Sequence, residues 1–237
     1  MNAATRIYVT AFLTSAAVSL LAVPVACRLA MRFGFVDPAG GRKAHRVEVP
    51  RVGGVGMALG LLCGVLAARF LLPHAIGWSV GSRQVLLGAL LCFLVGLGDD
   101  LLHKPGREGL PALVKLPVQL LAAALVAYVA PIKAITLPGD WVIEFHWGLQ
   151  YAVTVLFIVT ITNSMNFIDG MDGLAGGVGL IAAACLAVCG IDRAAAFRTQ
   201  GEAVLALALM GALIGFLRLN FPPAKVFMGD GGALMLG

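Results

Sequence analysis

The residues best able to do chemistry in this chain lie in four polar stretches set among apolar runs. The most concentrated is NSMNFIDGMDGLAGG, 163–177, where Asn163, Asn166, Asp169 and Asp172 follow one another at intervals of three. In a continuous α-helix each step of three turns back by about 60°, so neighbours share a face and the ends of the series do not. A helix that breaks at Gly170 or Gly173 could instead gather the four groups around one point. Capping by Asp172 of a following helix explains one of the four and leaves the others idle. The donors are all oxygen, as Mg²⁺ or Ca²⁺ prefers, and DGMDG lacks the further ligands of an EF-hand loop.

The second stretch, GLGDDLLHK at 96–104, puts Asp99 and Asp100 where an apolar run ends. Acid at a helix C-terminus opposes the macrodipole, so an ordinary exposed cap explains the pair poorly, and a hard cation or a base explains it better. The first loop, VDPAGGRKAHRVEVPRVGG at 36–54, carries Arg42, Lys43, His45, Arg46 and Arg51 among glycines and prolines. It reads either as membrane anchoring or as an anion clamp of cations and Gly amides. In the last stretch, NFPPAKVFMGDGG at 220–232, Asp230 stands between glycines just before an apolar restart.

The elements that must position these groups are membrane helices. Hydrophobic residues make up 60% of the 237 and charged ones 12%, and the mean hydropathy is +0.95; no single globular core hides that much apolar side chain. The expected fold is an all-α polytopic membrane protein of one domain. Seven runs are expected as spans, at roughly 8–31, 52–72, 84–98, 112–131, 148–162, 174–191 and 203–217, with an eighth barely begun. The first is too long for the core of a signal peptide and has no convincing cleavage site, so it reads as a retained span. KAITLPGDWVIEFHWG, 133–148, alternates around Pro-Gly-Asp and predicts a small hairpin with Trp141 and Trp147 at the membrane interface. Cys27, Cys63, Cys92, Cys185 and Cys189 fall in or beside apolar runs and read as small hydrophobes, not as disulfides or metal ligands.

Alternating connections put eleven of the seventeen Lys and Arg on one side of the membrane, after spans one, three, five and seven. By the positive-inside rule that side is cytoplasmic and the N-terminus lies outside. Asp99, Asp100, Asp169, Asp172 and Asp230 fall on the same side as those cations. Five aspartates and several cations at one face describe a site for a metal-bound polyphosphate next to lipid, and nothing in the chain asks for nucleic acid. A transporter would need charge near the middle of its spans and access from both sides, and the span centres here are nearly free of charge.

The order RKxHxxxxPRxGG, GLxDD, NxxNFIDGxDGLAGG and FMGDGG resembles the polyprenyl-phosphate N-acetylhexosamine-1-phosphate transferases, from about residue 34 to the end. The RKxH form of the first loop is more similar to the undecaprenyl-phosphate N-acetylglucosamine-1-phosphate branch than to the phospho-N-acetylmuramoyl-pentapeptide branch. The resemblance implies Mg²⁺ (Mn²⁺ as a substitute), a UDP-N-acetylhexosamine donor and a polyprenyl phosphate acceptor in the bacterial cytoplasmic membrane. It implies catalytic roles for Asp99, Asp100, Asp169 and Asp172, and metal ligation by Asn166 and Asp230. Substrate contacts fall to Lys43, His45, Arg51, Gly53, Gly54 and Asn163, and, because an aspartate pair beside an incoming anion needs a balancing charge, to Lys104 and Lys115. Two positions depart from the pattern, with Ala233 where a serine is usual and His103 ahead of Lys104. Members of the family also carry further helices and a His-containing loop beyond the point matched by Gly237. The chain is therefore expected to be a fragment, with an inactive lipid-carrier-binding remnant as the alternative.

Overall fold

The computed structural model describes residues 2–33, 36–37, 49–71, 79–102, 109–139, 141–197 and 200–237. Seven helices among them are long and apolar enough to cross a membrane: α1 (Ala3–Phe33), α2 (Gly53–Leu71), α3 (Val80–Leu102), α4 (Ala112–Val129), α5 (Trp147–Ile168), α6 (Leu174–Phe197) and α7 (Gly201–Asn220). A short eighth, α8 (Gly229–Leu236), follows. The expected spans are all present, most of them longer than drawn. The helix α3 runs on through Asp99 and Asp100, and α5 through Asn163 and Asn166.

The core lies where α1, α2 and α7 pack together, with α6 against the other side of α7. Small residues set the spacing there. A methyl group added at Gly215 would meet Ser19 and the backbone of Leu20, and one at Gly60 would meet the Ser15 carbonyl. The hydroxyls of Ser15 and Ser19 donate across the contact to the carbonyls of Ala208 (2.5 Å) and Ala212 (2.7 Å). Close backbone approach with hydroxyl bonds between helices is how spans associate where lipid removes the hydrophobic contrast. Phe216, Leu213, Met57 and Ile7 are wholly buried around this junction. Large apolar side chains on the outer faces, such as Leu21, Leu156 and Val188, are exposed, as lipid-facing positions should be.

Two strand pairs complete the fold. The expected hairpin forms from β3 (Ala134–Leu137) and β4 (Trp141–Glu144), antiparallel, with Gly139 at φ +91° in its turn. A shorter pair, not among the expected elements, β1 (Val36–Asp37) with β2 (Val49–Pro50), closes the base of the first loop. The helix α8 packs among α2, α3 and α5, bringing the end of the chain back to the middle of the bundle.

Candidate active site

Five polar side chains meet where the ends of α3, α4, α5 and α8 come together. Carboxylate oxygens of Asp99, Asp100 and Asp230 lie within 4.8 Å of one another. Lys115, on the first turn of α4, places its Nζ 2.9 Å from Asp230 Oδ2 and 3.5 Å from Asp99 Oδ2. Asn166, near the end of α5, donates from Nδ2 to Asp230 Oδ1 at 3.0 Å. Asp230 is thus held on one oxygen by Asn166 and on the other by Lys115. Burial works against its ionisation, but the hydrogen bonds from Asn166 and Lys115, the Asp99 contact and the Lys115 charge together outweigh it, so its carboxyl lies below the ordinary carboxylate range.

The adjacent aspartates of α3 do different things. Consecutive helical residues point about 100° apart, so they face different neighbours. Asp99 is buried, accepts the Leu110 N–H at the entrance to α4 and faces Lys115. Asp100 turns to the start of α8 and accepts the N–H groups of Asp230 and Gly231, one on each oxygen, both at 2.9 Å. The first amides of a helix have no partner within it, and the positive end of its dipole favours an anion. This resolves the conflict of acid at a helix C-terminus, since the α3 carboxylate is spent on the N-terminus of α8. Glycines make that approach possible. A methyl at Gly96 would strike the Asp230 backbone at 2.5 Å, and one at Gly229, at φ +76°, would lie 2.7 Å from Asp100 Oδ2.

The first loop reaches the site through its backbone. Gly53 N–H donates to the Phe227 carbonyl (2.9 Å), Gly54 N–H to the Met228 carbonyl (2.8 Å), and Phe227 N–H to the Pro50 carbonyl (2.9 Å). The two glycine amides therefore anchor the segment before Asp230, and an added methyl at Gly54 would run into the Gly232 backbone. Arg51 lies within electrostatic reach of Asp100. Lys43, His45 and Lys104 lie outside the described residues.

The helix break expected in the Asn/Asp series is present: α5 ends at Ile168, α6 begins at Leu174, and Gly173 has φ +73°. The gathering is partial. Asn166 joins the carboxylate cluster, whereas neither Asp169 nor Asp172 belongs to it. Asp169 sits at the C-cap of α5. Asp172 Oδ2 accepts the Ala224 N–H (2.9 Å). Asn163 stands a turn before Asn166 and donates to Gln119 Oε1 on α4 at 2.6 Å.

Two residues escaped the sequence reading. Asn220, buried at the end of α7, accepts the Gly173 N–H (3.0 Å) and donates to the Val226 carbonyl (2.8 Å), tying the break after α5 to the segment leading to Asp230. The signal available was a polar residue closing an apolar run just ahead of two prolines. Gln119 is a buried amide in the middle of a span, and a polar residue there is itself a signal.

The donor set suits a hard divalent cation. Asp99, Asp230 and the Asn166 Oδ1, left free of the bond its Nδ2 makes, are all oxygen donors, and no thiol or imidazole joins the cluster among the described residues. With all three carboxylates ionised, the Lys115 ammonium and the nearby Arg51 guanidinium leave the cluster net negative among the described residues, which favours a cation there.

Residues 82–237 match the sequence pattern of glycosyl transferase family 4. The chain belongs to that family. A probable undecaprenyl-phosphate N-acetylglucosaminyl 1-phosphate transferase of Bacillus subtilis is 35% identical over 235 residues, covering 97% of this chain and 60% of its own length. A decaprenyl-phosphate N-acetylglucosaminephosphotransferase of Mycolicibacterium smegmatis is 35% identical over 237 residues, covering 95% of this chain and 56% of its own length. A phospho-N-acetylmuramoyl-pentapeptide-transferase of Pelotomaculum thermopropionicum is 35% identical over 245 residues, with 96% and 72% covered. The chain thus spans well under two thirds of the length of the first two. As a glycosyl transferase family 4 chain it is a multi-pass membrane protein of an enzyme family, with a carboxylate cluster fit for a divalent cation.

Proposed function

We propose that this protein transfers N-acetylhexosamine 1-phosphate, N-acetylglucosamine 1-phosphate foremost, from a UDP-sugar to polyprenyl phosphate. UMP leaves, and the lipid-linked sugar diphosphate begins a cell-envelope glycan. The observation that carries the reading is the joint hold on Asp230, by Asn166 of α5, Lys115 of α4 and, through its backbone, Asp100 of α3. Four family motifs contribute to one polar centre at the end of a membrane bundle, which is where a phosphorylated lipid and a soluble nucleotide can meet. The positive-inside excess supports a cytoplasmic site and an outer N-terminus.

A phosphate monoester has its second pKa near ~6, so the lipid nucleophile is largely dianionic at neutral pH and needs no base. The work left to the protein is positioning and neutralisation of charge between two anions. Asp230, Asp99 and Asn166 are the residues to hold Mg²⁺, which when bound neutralises charge on the diphosphate of the donor. Lys115 offsets repulsion between the incoming phosphate and the carboxylates. Asp100 and Asp172 keep the α8 and 221–228 backbone in register with that centre.

The test is transfer of labelled sugar phosphate from UDP-N-acetylglucosamine to polyprenyl phosphate in membranes carrying the protein with Mg²⁺, followed as UMP release and a lipid-extractable product. Asp230→Asn should abolish it. Absence of transfer with this donor, together with transfer from UDP-N-acetylmuramoyl-pentapeptide, reassigns the donor; an unchanged rate in Asp230→Asn removes the catalytic assignment.

A further inference from the structure

The β3–β4 hairpin lies at the opposite end of α5 from the carboxylate cluster, since Trp147 and Asn166 are nineteen residues, or about 28 Å, apart along the helix. Its register pairs Ile135 with Ile143 and Leu137 with Trp141. Alternation along a strand puts those four side chains on one side of the ribbon, with Ala134, Glu144, Thr136 and Val142 on the other. The first side is an apolar face left exposed among the described residues, and Trp141 is 74% exposed.

The root of the hairpin fixes where that face sits. Ile132 N–H donates to Thr154 Oγ1 (2.8 Å), and Gln150 Nε2 donates to the Phe145 carbonyl (2.5 Å). Thr154 is seven residues into α5, about 10 Å below its first residue. The hairpin is therefore rooted beside a spanning helix, within the depth that helix crosses, and is not raised above its end. Exposed apolar side chains continue from it onto the neighbouring spans, with Tyr128 at the end of α4 and Trp147 and Leu149 at the start of α5.

We infer that the β3–β4 hairpin is a membrane-surface anchor, its Ile135, Leu137, Trp141 and Ile143 face seated in the headgroup–acyl boundary of the leaflet opposite the carboxylate cluster. The occupant is the bilayer itself, because the face is continuous with lipid-facing surface and is rooted at interfacial depth. Glu144 and Thr136 then point to water.

The test is fluorescence of the whole protein in phosphatidylcholine vesicles. Trp78→Phe with Trp147→Phe leaves Trp141 as the one reporter. A second variant adds Trp141→Phe and Val142→Trp, moving the reporter by one residue to the other side of the ribbon. Lipids brominated near the top of the acyl chain should quench Trp141 at least about twofold more than the reporter at position 142, with aqueous iodide giving the reverse order. Equal quenching at the two positions, or iodide reaching Trp141 freely while bromolipid does not, overturns the proposal. Emission of Trp141 that changes with the lipid-to-protein ratio overturns it in favour of a second copy of the chain.

Discussion

Replacing Asp100 should release the start of α8 before it does anything to the chemistry. Its two oxygens are the hydrogen-bond acceptors for the amides of Asp230 and Gly231, at the beginning of a helix where no intrahelical acceptor exists. Asp100→Asn keeps one acceptor oxygen and turns an NH₂ group toward the other amide, so one charge-assisted bond is lost and one buried donor is stranded, a cost of about 2 kcal/mol. Asp100→Ala strands both, and the cost rises to roughly 3–4 kcal/mol. If local opening controls exchange, about 2 kcal/mol corresponds to a roughly 30-fold faster amide exchange in Asp100→Asn. Hydrogen exchange read by mass spectrometry on the peptide covering 229–236 measures it, with α7 as the internal reference. Asp230→Asn, which leaves both acceptors in place, should exchange like the parent over the first residues of α8. The reasoning is refuted if Asp100→Ala leaves the exchange of that peptide unchanged.

Three further outcomes follow from the same geometry. Gly229→Ala should lower the thermal unfolding midpoint, since φ +76° costs an L-residue about 1–2 kcal/mol even before the added methyl meets Asp100 Oδ2. Asn220→Ala strands the Gly173 amide and the Val226 carbonyl in a buried place, so the midpoint should fall by the equivalent of roughly 2–4 kcal/mol while the protein still inserts in membranes. Lys115→Met removes the ammonium that pairs with Asp99 and Asp230; Mn²⁺ binding, read by electron paramagnetic resonance, should tighten by about tenfold or more even as transfer to the anionic lipid slows.

The spans and the hairpin were legible because each rests on local pattern. An apolar run long enough to cross lipid has no other use, and alternation around Pro-Gly-Asp has few. The polar centre was legible only as a set. Nothing local says that Asn166 reaches Asp230 and Asp172 does not, although both lie in one motif; the difference arises because α5 ends at Ile168 and Gly173 redirects the chain. Asp172 then meets the segment after α7, at Ala224, instead of the cluster. Asn220 was hidden for the same reason, since its two partners are 47 and 6 residues away and the nearer is a backbone carbonyl. Gly53 and Gly54 looked suited to grip phosphate, yet their amides are bound to carbonyls of the Phe227–Met228 segment.

The Asp-Asp pair shows how adjacency misleads. Two carboxylates side by side in a sequence suggest one ligand pair, but on a helix they diverge by about 100° and only one can face a given point squarely. Here Asp99 turns to Lys115 and the Leu110 amide, and Asp100 to the amides of Asp230 and Gly231. Asp100 thereby fixes the main chain at the residue whose side chain Lys115 and Asn166 hold. An oxygen donor set a few ångströms across tolerates little error in the placement of any member, and Asp230 is the member contributed by the first turn of α8. The first amides of that helix have no acceptor within it, so a charge at its N-terminus holds it in place. The second aspartate thus has a use that a paired ligand would not have, and loss of either aspartate should damage the site by a separate route. Asp99→Asn should weaken cation binding with α8 still protected from exchange, whereas Asp100→Ala should do both together.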